Sequence, residues 1–175
     1  MKKRILTLFA LLCAVACLSG CSGDTTESKI DIDSVVWVTE TYSDRYHGDY
    51  YSIEIPTQWE NAGNGVFRAY ESSNIPGACT ILYLRSYDSV EEYMDAYIGS
   101  LDSYTQFIEQ EAMAIAGRRG YRFVTERTYE ENGQETITRR EVYTFQDEDL
   151  VYSITFDPST DDQIKSHILN SIILL

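Results

Sequence analysis

Apolar positions recur in two rhythms along the chain, one of period two and one of three to four. In the stretch YSIEIPTQW, Tyr51, Ile53 and Ile55 alternate with polar neighbours. That alternation predicts a strand with one face in a core. Pro56 cannot donate to a sheet ladder, so the strand is expected to leave its sheet there or run along the edge. Trp59 is then placed to fold back and cap the core, its indole N–H reaching a nearby carbonyl. The same period predicts strands over residues 35–42, 50–55, 65–71 and 79–87, with turns at 46–49 and 74–77.

At residue 88 the rhythm changes. Ser89 and Glu92 have the spacing of a capping box. Val90, Tyr93, Tyr97, Leu101 and Tyr104 follow at steps of three and four, which predicts a helix with one apolar stripe. A half-buried helix on a sheet explains these tyrosines better than a ligand platform does. Strand patterns return over 109–115, where the alanines also suit a helix, and then over 120–129 and 134–146. Asn132-Gly133 between the last two signals a hairpin. A two-residue loop would set Glu126 opposite Arg139 and Thr125 opposite Arg140. A three-residue loop would instead group Tyr121 and Phe123 with Tyr143 and Phe145, and the sequence leaves both registers open. Leu150, Tyr152, Ile154 and Phe156 alternate after the acidic turn Asp147-Glu148-Asp149. Thr160 and Gln163 form a second capping box, ahead of a C-terminal helix with Ile164, Ile168 and Ile172 on one face. The predicted fold class is α+β, built on an antiparallel meander.

This order of motifs resembles the PsbP-like fold (the PsbP and Mog-type domains), which also occurs in small bacterial lipoproteins. The resemblance rests on Ile55-Pro56 with Trp59, the helix DSVEEYMDAYIGSL, Ile115-Ala116-Gly117, the meander, and the closing HILNSIIL, and it spans residues 46–175. It implies an antiparallel β-sheet flanked by helices on both faces, an α-β-α sandwich. Because this fold serves unrelated partners, the photosystem and Ran-binding roles do not transfer.

The N-terminus adds a location. Lys2, Lys3 and Arg4 precede an apolar run over residues 5–17, shorter than the ~20 residues a spanning helix needs, so a signal peptide is expected. The run ends in Leu18-Ser19-Gly20-Cys21, which matches the lipobox of bacterial lipoproteins. That resemblance implies cleavage before Cys21 and thioether lipidation of its sulfur. Two or three acyl chains anchor stably at ~0.8 kcal/mol per buried methylene. The expected organisation is a signal peptide over 1–20, a lipidated Cys21 with a flexible tether over 21–34, and one globular domain over 35–175. As a random coil the tether reaches on the order of 20 Å. The expected location is the extracytoplasmic side of a bacterial membrane, plasma or outer.

Charge narrows the partners. The chain carries 14 basic and 28 acidic residues, a net charge of −14. Without Lys2, Lys3 and Arg4 the balance is 11 against 28, or −17. Nucleic acid, whose phosphates need a basic face, is disfavoured as a partner. Adhesion to anionic headgroups is disfavoured as well, so lipid rather than charge holds the domain to the membrane.

Candidate chemistry is sparse. Of four cysteines only Cys79 remains in the domain, so no internal disulfide is expected, and its place in ACTILYL predicts burial. His47 and His167 lie outside any metal-ligand spacing. The acidic triplet at 147–149 and the acidic pair at 161–162 read as turn solvation and helix-dipole compensation. No cofactor and no metal site is expected. Arg118, Arg119, Arg122, Arg127, Arg139 and Arg140 gather around the meander. They either pair across strands with Glu126, Glu130, Glu135 and Glu141, or form a basic patch, centred on Arg118, Arg119, Arg122, Arg139 and Arg140, for an acidic partner or anionic glycan. The reading these observations favour is a non-enzymatic, lipid-anchored binding or accessory domain with a protein or envelope partner. The alternatives are an enzyme or enzyme subunit using Cys79 or carboxylates, and a metal-responsive module.

Overall fold

A computed structural model describes residues 30–44, 48–131 and 133–175. Cys21, most of the expected tether, His47 with the start of its turn, and Asn132 lie outside the described residues. Within them, Ile30 and Ile32 already pack against the core, and residues Ile32–Ser34 form a single 3-10 turn capped by Asp31.

Among the described residues all strand pairings are antiparallel, and the strands divide between two sheets. β1 (Trp37–Asp44) and β2 (Gly48–Pro56) pair with a short C-terminal strand in a three-stranded sheet. β3 (Trp59–Gly63), β4 (Val66–Ala69) and β5 (Ala78–Leu84) form one side of a seven-stranded sheet. α1 (Val90–Gly99) intervenes, followed by β6 (Thr105–Ile115), β7 (Arg118–Glu131), β8 (Gln134–Asp147) and β9 (Leu150–Phe156). The spatial order is β3-β4-β5-β9-β8-β7-β6. α2 (Asp162–Ser171) and β10 (Ile173–Leu174), which pairs with β2, close the described chain.

The proline acts as the sequence suggests. Pro56 is the last residue of β2, and the chain then crosses to the other sheet, where Trp59 opens β3. Trp59 is 2% exposed, and its Nε1–H donates to the Ile75 carbonyl at 2.9 Å. Tyr51, Ile53 and Ile55 are buried together, and the Tyr42 ring stacks on Tyr51 at 5.3 Å.

The hairpin register is that of the two-residue loop: Glu126 stands opposite Arg139, Thr125 opposite Arg140, and Glu131 opposite Gln134. The three-residue register, which would have grouped Tyr121 and Phe123 with Tyr143 and Phe145, does not occur. Tyr121 faces Thr144 and Phe123 faces Val142. β6 accompanies β7 only as far as Arg127, and β9 accompanies β8 only from Val142 onward. The end of the hairpin therefore projects past both neighbours as a two-stranded ribbon.

The core forms two clusters. Val90, Tyr93 and Met94 of α1 pack with Tyr121, Phe123, Val142 and Val151. Ile164, Ile168 and Leu169 of α2 join Tyr143, Phe145, Ile154 and the β2 side chains. Each fully buried isoleucine contributes roughly 1.5–3 kcal/mol of apolar burial. The described residues hold an antiparallel β framework with two α-helices.

Several local expectations need correction. α1 ends at Gly99, and Tyr104 is 65% exposed, so the apolar stripe stops short and Met94 takes a core place beside Tyr93. Ser100 closes the helix by donating its hydroxyl to the Tyr97 carbonyl at 2.7 Å. Ser89 accepts from the Glu92 amide as the capping box predicts, but the Glu92 carboxylate accepts from Asp88 N–H. At α2 the cap is Asp161, whose carboxylate accepts from the Gln163 amide, not Thr160. The Thr160 hydroxyl is instead drawn to the Ala78 backbone, at 3.2 Å from both its N and its O. A tertiary hydrogen bond has outcompeted the local cap.

Candidate functional site

Successive side chains of a strand point to opposite faces, so the arginines of β7 and β8 divide by parity. Arg122 and Arg139 share the α2 side with Glu141 and Tyr143. On that side every arginine meets a carboxylate. Arg122 donates to Glu109 at 2.6 Å and to Glu141 at 2.5 Å, and Arg139 pairs with Glu126 at 3.2 Å, its cross-strand neighbour. Lys165 of α2 bridges Glu141 and Asp162, at 3.4 and 2.9 Å. Tyr143 donates its hydroxyl to Glu141 at 3.0 Å. Arg118 pairs with Asp147 at 2.6 Å at the far end of the hairpin.

These contacts set the protonation of the network. Burial works against a charged Glu141, yet its hydrogen bond from Arg122, the charge of Lys165 and the Tyr143 hydroxyl together hold its carboxyl below the ordinary range. Burial and then the neighbouring Glu141 charge push Tyr143 up to about 12. The network closes on itself and fastens α2 to the sheet.

On the α1 side the arrangement is open. The ribbon overhangs the C-terminal end of α1 and the loop after it, forming a groove of about 550 Å³. Arg127 and Arg140, Tyr97 and Tyr129, Asp102 and several hydroxyl side chains line it. Asp102 is held in place: its carboxylate accepts from the Thr105 hydroxyl at 2.7 Å and the Tyr104 amide at 3.1 Å. Its other oxygen lies 3.3 Å from Arg127. The Thr105 hydrogen bond above all, with the Tyr104 amide and the Arg127 charge, lowers the Asp102 carboxyl against the opposing effect of desolvation. The Tyr97 ring is fixed edge-on against Phe123, at 5.0 Å. Arg140 stands opposite Thr125, which offers no charge, and makes no hydrogen bond or ion pair among the described residues. With Asp102 and Arg127 offsetting one another, the groove retains one uncompensated guanidinium in a chain of charge −14.

The expected patch of Arg118, Arg119, Arg122, Arg139 and Arg140 is therefore not brought together. Arg118, Arg122 and Arg139 are consumed by carboxylates, and Arg119 lies beside Tyr121, donating to its hydroxyl at 2.9 Å. Of the five, Arg140 alone makes neither an ion pair nor a side-chain hydrogen bond among the described residues. Arg127, which the sequence already gathers with the other arginines, joins it, together with Asp102, Tyr97 and Tyr129, which sequence reasoning did not place there. Strand parity combined with the two-residue register was the signal that would have sorted them.

The other candidates resolve as follows. Cys79 is a free thiol, fully buried, and burial pushes it far above the ordinary thiol range. His167 lies with Nε2 2.7 Å from the Glu54 carboxylate and its ring stacked on Trp37 at 3.6 Å. Among the described residues no three His, Cys, Asp or Glu side chains stand together as metal ligands, and no helix is long and apolar enough to cross a membrane.

No family model and no curated protein matches the chain. Among solved structures it is similar to LpqN, involved in cell envelope biogenesis of Mycobacterium tuberculosis. The identity is 10% and the TM-score 0.47, over 79% of this chain and 91% of that one. It is also similar to a protein of Bacteroides thetaiotaomicron VPI-5482, at 11% identity and a TM-score of 0.45, over 72% and 45% of the two chains. For cyanobacterial PsbP (CyanoP) of Synechocystis sp. PCC 6803 the identity is 15% and the TM-score 0.44, over 90% and 99%. A PsbP is thus among the solved structures this chain is similar to, and PsbP-like is the fold that its order of motifs resembles.

Proposed function

We propose that the chain is a lipid-anchored accessory domain on the extracytoplasmic side of a bacterial membrane, and that it works by binding rather than by catalysis. The observation that carries the binding role is the groove beneath the β7–β8 ribbon, where fixed side chains surround a guanidinium with no partner of its own. The lipobox ending at Cys21 supports the location. Full burial of Cys79 argues against the reading in which that thiol is a nucleophile, because the reactive thiolate is disfavoured and out of reach. The alternation of Val142 in the α1 cluster with Tyr143 in the α2 cluster supports a sandwich whose helices cover both faces of the larger sheet.

The anchor and the binding role are tested separately. In a bacterial host the full chain is expected in the membrane fraction and labelled by palmitate. Cys21→Ala should abolish the label and release the protein; a labelled Cys21→Ala chain would refute the anchor. Cross-linking in the intact envelope should capture a component with the parent chain and lose it with Arg140→Gln. Capture that is indifferent to Arg140 would remove the groove from the binding role.

A further inference from the structure

We infer that the groove beneath the β7–β8 ribbon is a subsite for an anionic saccharide, with Arg140 receiving the carboxylate of a uronic-acid-type residue. This rests on the reading of the chain as a binding domain and names the ligand class of the same groove.

Three features specify the ligand. First, the free cation is a guanidinium, whose planar fork matches a carboxylate through two parallel hydrogen bonds. Arg140 is exposed and unpaired among the described residues, and the nearest carboxylate of the groove, Asp102, is already occupied by Arg127, Thr105 and the Tyr104 amide. One charge is therefore available for one acidic group, which suits a single uronate better than a polyphosphate.

Second, two tyrosine rings border the same space. Tyr97 is held by its edge contact with Phe123, and Tyr129 is 39% exposed on the ribbon. The electron-rich face of such a ring suits the polarised C–H face of a pyranose and costs little conformational freedom on binding. Third, the remaining lining is rich in hydroxyls, with Thr125 and Thr138 flanking the arginines on adjoining strands. A hydroxyl both donates and accepts, as each sugar hydroxyl does, so a polyol finds partners here that an apolar ligand would leave unmatched. The volume of about 550 Å³ lies within the range of small-ligand clefts, while the polar lining departs from their usual apolar character.

An acidic peptide is the competing occupant. A peptide strand binds chiefly through main-chain hydrogen bonds at a sheet edge. The groove instead presents side chains of one sheet face, so side-chain chemistry and not strand pairing selects the ligand.

The test titrates the full chain by calorimetry with three probes. These are a tetrasaccharide alternating glucuronate with N-acetylglucosamine, neutral chitotetraose, and tetraglutamate. The uronate sugar should bind about tenfold more tightly than the neutral one, a difference of about 1.4 kcal/mol. Arg140→Gln should erase that margin while leaving the denaturation midpoint in place, and Tyr129→Ala should weaken both sugars. No heat with the uronate sugar, or equal affinity for the two sugars, overturns the inference. Tetraglutamate binding as tightly, with the same loss in Arg140→Gln, overturns it in favour of an acidic peptide. If the sugars fail while Arg140-dependent capture in the envelope succeeds, the ligand class falls and the binding role stands.

Discussion

The β7–β8 hairpin carries charge on both sides, and the two sides treat it differently. Toward α2, Arg122, Glu141, Lys165 and Tyr143 form a partly buried network in which each cation meets a carboxylate. Toward α1, Arg140 faces solvent and a groove whose one lining carboxylate, Asp102, is paired with Arg127. Residues 140 and 141 are chain neighbours, yet one faces an open groove and the other holds a helix to the sheet. A single step along a strand reverses the face a side chain meets, and with it the cost of leaving a charge unpaired. The closed side should therefore matter for stability and the open side for recognition.

That contrast can be broken by measurement, with a core residue setting the scale. Trp59→Ala should cost ~3–5 kcal/mol in chemical denaturation, because the ring is buried and its N–H is spoken for. A midpoint that hardly moves would mean that the ring contributes little packing. Next comes Glu141→Ala, expected to cost roughly 2–3 kcal/mol. It leaves Arg122 and Lys165 facing one another with fewer anions, and the partial exposure of the network tempers the penalty of a fully buried pair. The same side carries an acid sensitivity. The folded carboxyl of Glu141 is lowered, so its stabilisation is complete above the ordinary carboxylate range and is lost as pH falls through the lowered value. Glu141→Gln should flatten stability against pH on the acidic side of neutrality, and an unchanged slope would place the acid sensitivity elsewhere. The smallest effect is Arg140→Ala, expected within about 0.5 kcal/mol of the parent. A loss as large as that of Glu141→Ala would show that the open side is structural too, and would dissolve the contrast.

How far the sequence could be read follows from the range of the forces involved. The alternation at Tyr51, Ile53 and Ile55, the Ser89 cap, and the helix face of Ile164 and Ile168 are local patterns that stand in the structure, whereas Ile172, though buried, lies past the end of α2 in extended backbone. β3 and β10 were missed because each is short; β10 also owes its place to β2, distant in sequence, whereas β3 forms a tight hairpin with the adjacent β4. The Thr160 cap failed for a related reason: the Ala78 backbone, remote in sequence, competed for the hydroxyl. For the candidate site, the sequence located the arginines but not their allegiance. Arg139 and Arg140 look equivalent on the page, and only the register against Glu126 and Thr125 separates them.

By itself, then, the sequence determined the strand and helix periods, the buried thiol, the acidity, and the N-terminal pattern that ends at Cys21. These follow from residue type and spacing, which act over a few residues at a time. The tertiary structure alone decided the split into two sheets, the overhang of the β7–β8 ribbon beyond β6 and β9, and the isolation of Arg140 beside Asp102, Tyr97 and Tyr129. Those outcomes depend on which distant strands pair and in what register, because a charge is compensated or left free by the neighbours that folding brings to it.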